Sequence, residues 1–125
     1  KVGKEEIVGL VAAVERYLAV DLEAERRGLE AKVDHLKDVV GRVRGVTVET
    51  HVPEIANHVP HFVATWDEGA RGLTAKQVHE KLQAGDPPIH VLLTGPGKLT
   101  VSVWTMRGDE HRTVARRLRE ILAGA

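Results

Sequence analysis

The chain contains no cysteine, a single methionine, no surplus of either charge and no long apolar run. Each absence removes a class of function. Without cysteine there is no disulfide framework, no thiolate nucleophile, no iron–sulfur cluster and none of the usual structural zinc sites. Eighteen Lys and Arg stand against eighteen Asp and Glu, with the two signs interspersed. That balance leaves no long-range field to gather nucleic acid or an anionic membrane, so neither is an expected partner. No stretch approaches the roughly 20 apolar residues that span a bilayer, and no basic-then-apolar leader opens the chain. A cytoplasmic protein is expected. The one methionine, Met106, lies near the far end while the sequence opens on Lys1. A piece of a longer protein would explain this, and so would processing or tag removal. What is present, 125 residues with 42% hydrophobic content, is enough for one core and one domain.

Periodicity divides the chain at about residue 45. From Lys4 to Val20 the residues Ile7, Leu10, Val11, Val14 and Leu18 recur at helical spacing, forming one apolar stripe. Asp21 is a break or cap. A second amphipathic helix follows through Leu22, Leu29, Val33, Leu36, Val40 and Val43, with Gly45 as its expected stop and pairs such as Glu23 with Arg27 on its polar side. From Val46 the period becomes two. A strand stopped by Pro53 leads through a loop at Glu54 to His58, and a second strand is expected over Val59 to Trp66 with Pro60 at its start. Thr74 with Gln77 forms a capping box, and Leu73 with Val78 a hydrophobic staple, predicting a helix from Ala75 to about Ala84. Gly85-Asp86-Pro87-Pro88 ends it. Ile89 to Leu93 and Leu99 to Trp104 are expected to be hairpin strands joined through two glycines. Asp109 is the expected cap of a last helix burying Val114, Leu118 and Ile121. The order predicts an α/β two-layer sandwich: residues 1–45 a helical segment, residues 46–125 a largely antiparallel four-stranded sheet covered by helices mainly on one side.

No self-sufficient active site emerges. His51, His58 and His61 cluster around Glu54 and Asn57, but residues three apart on extended chain face opposite ways and a metal needs convergent nitrogens. No metal site is assigned; ordinary hydrogen bonding and a substrate-facing role both remain open. Ser102, the only serine, has no elbow motif and no histidine beside it in sequence. The turn at residues 94–98 has glycines and Lys98 but leads into a strand, unlike a phosphate loop. Arg112, Arg116, Arg117 and Arg119 lack interleaved aromatics and read as the polar side of the last helix.

Four stretches, residues 1–10 (KVGKEEIVGL), 53–61 (PEIANHVPH), 85–89 (GDPPI) and 99–104 (LTVSVW), resemble in order and separation the C-terminal small domain of fold-type I pyridoxal-phosphate enzymes. The resemblance is to the selenocysteine-synthase-like family, which includes bacterial L-seryl-tRNA(Sec) selenium transferase and ammonia-lyases of amino-sugar acids, and it runs over essentially the whole chain. It implies a preceding large domain that carries the Schiff-base lysine and binds the cofactor, a homodimer or larger oligomer, and a lyase or transferase working by Cα deprotonation and β-elimination on an amino acid or amino-sugar acid. The resemblance assigns Lys1 and Lys4 to meet a substrate's anionic group, and Asn57 and His58 to a loop approaching the cleft. It gives this chain no catalytic residue and no cofactor of its own. Trp104 stands where relatives carry an arginine for the substrate carboxylate, which weakens a strict selenium-transferase reading. The competing expectation is a stand-alone α/β module that binds a protein or a small ligand.

Overall fold

The computed structural model describes residues 1–55 and 58–124. Helix α1 (Lys4–Ala19) breaks at Val20, and Asp21 caps α2 (Leu22–Val40) by accepting hydrogen bonds from the Glu23 and Ala24 amides at 3.1 and 3.0 Å. Then come β1 (Val46–His51), β2 (His61–Trp66), a single-turn α3 (Glu68–Arg71), α4 (Ala75–Gln83), β3 (Leu92–Gly95), β4 (Lys98–Ser102) and α5 (Glu110–Ala123). The strands form one antiparallel sheet in the order β1-β2-β4-β3. This is the α/β sandwich expected from the periodicity.

Register sorts the side chains onto two faces. Val48, Ala64 and Leu99 share one row and Phe62 and Val101 the next but one, so these residues point to the same side. That side is covered by α2, lying over β1 and β2, by α5 alongside α2, and by α4 against α5. Leu36, Val40, Val78, Leu82, Leu118 and Leu122 are fully buried there. The opposite face carries Thr47, Glu49, His51, His61, Thr65 and Ser102, exposed or half-buried, around a buried pair, Val63 and Thr100.

Several boundaries differ from the sequence expectation, each for a local reason. The second helix stops at Gly41 rather than Gly45; two tight turns, Val43 N–H to Val40 O and Val46 N–H to Val43 O, then carry the chain into β1. The second strand starts at His61, after Pro60, which lacks the amide a ladder requires. Ile89 and Val91 are buried yet lie outside the ladder, and β3 begins at Leu92. In α5, Leu122 is fully buried and Ile121 only partly. The Asp109 side chain accepts from no α5 amide, although its backbone carbonyl takes the Arg112 amide at 2.9 Å; the Glu110 carboxylate accepts from the Arg107 amide at 2.8 Å. Thr74 and Gln77 do form the predicted reciprocal cap, at 3.1 and 2.9 Å.

Where α2 meets α5, the rings of His35 and His111 stand edge-on with centroids 5.3 Å apart. Partial burial, and next the neighbouring His35, lower the His111 pKa below 6.5; Lys32 and Arg112 act in the same direction. The unfolded chain therefore takes up this proton first as pH falls, so His111 costs stability progressively below pH 6.5 and nothing above it. Thermal melts should show a falling midpoint below that pH, and His111→Gln should flatten the fall. An unchanged slope in the variant would place the linkage elsewhere.

Candidate functional site

The loop between β1 and β2 leaves and re-enters the sheet at one end, and the register brings three polar residues together there. His51 pairs with His61 across the first two strands, and His61 pairs with Ser102 across the next, all on the sheet face opposite α2. Sequence grouped His51 with His61 but missed Ser102, because its nearness depends on β2–β4 register. His61 Nδ1 lies 2.8 Å from the Val59 carbonyl. A carbonyl only accepts, so Nδ1 carries the hydrogen and Nε2 is left to accept. No hydrogen bond joins His61 to Ser102 among the described residues, so the row offers polar contacts without a nucleophile–base pair. At the same end a cavity of about 380 Å³ lies between the 87–90 segment and the start of α5, bordered by Pro88, His90, Ser102, Met106 and Glu110. Trp104 is half-exposed just after β4. Among the described residues no group of three or more His, Asp and Glu side chains is placed to hold a metal ion.

Of the residues singled out from sequence, His58 is exposed in this loop, and Asn57 lies outside the described residues. Lys1 and Lys4 are exposed at the start of α1 and make no hydrogen bond or ion pair among the described residues. Nothing here brings them against His58. Helix α1 explains why: not one of its 16 residues is buried. Ile7, Leu10, Val11, Val14 and Leu18, the stripe visible in sequence, are 47–76% exposed. The Glu6 carboxylate caps this helix by accepting from the Gly3 amide at 2.9 Å. The helix is thus well started and apolar, with its stripe buried against nothing among the described residues.

The lysines do not fit pyridoxal phosphate. A cofactor-bearing lysine must project its amine into a cleft, facing groups that hold the ring and the phosphate. Lys1, Lys4, Lys76 and Lys81 are exposed. Lys32 donates to the Met106 carbonyl at 2.7 Å and ties α2 to the segment after β4; Lys37 donates to Thr50 at 3.2 Å. Lys98 begins β4 on the sheet face opposite α2. Arg116 and Arg117, read from sequence as part of the polar side of the last helix, both pair with Glu120, at 2.8 and 3.1 Å. No helix among the described residues is long and apolar enough to cross a membrane.

No family model matches the chain. A curated protein of Streptomyces sp, 5'-C-glycyluridine monooxygenase-decarboxylase, is 29% identical over 124 residues, which cover 98% of this chain and 31% of that protein. The solved structure of D-glucosaminate-6-phosphate ammonia-lyase superposes with a TM-score of 0.74 at 24% identity, over the whole of this chain and 33% of that one. The chain thus spans about a third of the length of each protein it resembles. Its fold is that of a part of the ammonia-lyase.

Proposed function

We propose that this chain is the C-terminal small domain of a larger pyridoxal-phosphate-dependent lyase or transferase acting on an amino acid or amino-sugar acid, and that it is noncatalytic in isolation. The observation that carries this reading is α1, an apolar helix with no buried residue. An exposed patch of this kind is costly to a soluble protein unless something covers it. The two similar proteins are each about three times as long as the chain, which supports a missing portion as that cover. In this reading the missing portion supplies the lysine and the cofactor site. The sandwich closes over the cleft, excludes water and presents polar groups at the His58 end. Lys1, Lys4, Asn57 and His58 meet the substrate's anionic or hydroxyl groups once α1 is seated, with each lysine acting as a point charge. The assembled enzyme is a homodimer or larger.

Equilibrium dialysis of pyridoxal phosphate against the isolated chain tests the reading directly. Retention no greater than that of a lysine-matched control protein is expected. Stoichiometric retention on one lysine, located by borohydride reduction and mass spectrometry, would sink it. A second test addresses α1. Ile7→Glu, Val11→Glu and Val14→Glu combined should leave the melting midpoint of the isolated chain unchanged, because none of these residues is buried in the sandwich. A loss of several degrees would mean that the face is covered within the chain.

A further inference from the structure

At the end of the sheet away from the His58 loop, the exit turn of α2, the end of β2, α3 and the C-terminus of α5 enclose an open cavity of about 620 Å³. Six-residue strands β1 and β2 separate the two ends by roughly 17 Å. Four arginines, Arg42, Arg44, Arg71 and Arg119, line this cavity against a single acid, Asp67. We propose that it is a binding site for a small phosphate-bearing ligand, held by Arg44, Arg71 and Arg119.

Three of these four arginines have no ion-pair partner among the described residues. Val43 is buried and anchors the exit turn, which leaves Arg42 and Arg44 on either side of it exposed. Arg42 is already paired, 2.9 Å from Asp38. Arg44 and Arg119 have no ion-pair partner among the described residues. Asp67 spends a carboxylate oxygen on the Ala70 amide at 2.9 Å, capping α3. Arg71 is the central group. Its Nη1 donates to the Leu122 carbonyl at 2.6 Å and its Nη2 to the Arg44 carbonyl, while its buried Nε has no acceptor among the described residues. Its partners are therefore neutral carbonyls, and its charge is left uncompensated in a half-buried position.

The carbonyl end of α5 would by itself repel an anion. Arg71 occupies Leu122 O and so offsets part of that field at the cavity wall. A planar guanidinium fork matches two phosphate oxygens at once, a match no lysine provides. In a chain whose formal charges sum to zero, three guanidinium groups facing one cavity without a carboxylate partner amount to a local excess that a doubly charged phosphate would balance. The cavity has room for more than the phosphate alone, which accommodates an organic portion of modest size.

The test uses the full chain, with inorganic phosphate and diphosphate as probes in titration calorimetry. Saturable one-to-one binding of diphosphate, tighter than that of phosphate and weakened by added potassium chloride, is expected. Arg44→Ser with Arg119→Ser should weaken it by at least about thirtyfold, since each charged hydrogen-bonding group contributes about tenfold or more. Neither side chain makes a hydrogen bond among the described residues, so the melting midpoint of the variant should match that of the parent; Arg71 is left intact because it joins three segments. Arg26→Ser with Arg27→Ser, on the exposed face of α2, serves as the control for general charge. Absence of saturable binding, or an equal loss in the control, would overturn the site.

Discussion

Gly97→Val should leave the chain largely unfolded at room temperature, with a loss above about 4 kcal/mol against the 5–15 kcal/mol typical of a domain. Pro96 and Gly97 make the two-residue turn between Gly95 and Lys98, and Gly97 takes φ +57°. Proline followed by a residue of positive φ is the requirement of a type II turn, and a β-branched side chain is strained there. Space adds a second, larger penalty. A Cβ on Gly97 would lie 2.1 Å from the Trp66 carbonyl oxygen, backbone that cannot step aside without breaking β2. The same residue accepts from the Trp66 amide at 2.8 Å and donates to Glu68 Oε1 at 2.7 Å; that oxygen also takes the Ala75 amide at 2.7 Å. One turn thus joins β2, α3, α4 and the hairpin. Gly95→Ala is the control, because its Cβ would meet only Lys98 Cβ at 3.8 Å and its φ is not positive. Urea melts followed by circular dichroism should show Gly95→Ala within about 1 kcal/mol of the parent. A Gly97→Val chain melting like the parent would refute the account.

The contrast between these two glycines marks what sequence could and could not reveal. Both signalled a turn, but only the approach of Trp66, thirty-one residues earlier, tells which one is indispensable. Signals that act within one turn of chain were legible. The Thr74–Gln77 cap, the Asp21 break and the Glu23–Arg27 pair all form as their spacing implied. Asp109 failed as a side-chain cap because its backbone (φ −98°, ψ 13°) is not in the extended conformation a capping residue adopts, and its carboxylate lies 3.4 Å from the Arg112 guanidinium instead. Ile89 and Val91 were correctly apolar and incorrectly paired, since alternation reports burial and not the ladder. Long-range juxtapositions were illegible. Arg44 and Arg119 line one cavity from segments seventy-five residues apart, and Arg119 alone looked like part of a solvated helix face. For α1 the stripe was plain in the sequence, while the absence of anything to cover it required the structure.

The second large effect separates the sandwich from α1. Phe62→Ala should cost about 3–5 kcal/mol. Phe62 is the only phenylalanine, fully buried in β2, with Thr50 and Val101 as its neighbours in register on the adjoining strands. Its ring faces the helices that cover the sheet, and the surrounding core is mostly valine and leucine. Branched aliphatic side chains held in few rotamers, on strands fixed by their ladder, fill the resulting space poorly. The variant should therefore keep most of its cavity instead of collapsing it. Removing residues 1–19 deletes more apolar surface than this ring, yet should change the unfolding free energy by less than about 0.5 kcal/mol, because α1 buries no residue and Asp21 remains to cap α2. Both measurements come from one set of denaturant melts. A truncation as costly as Phe62→Ala would make α1 part of the core. The expected inequality instead assigns stability to the sandwich and leaves α1 with an apolar face that the described residues do not bury.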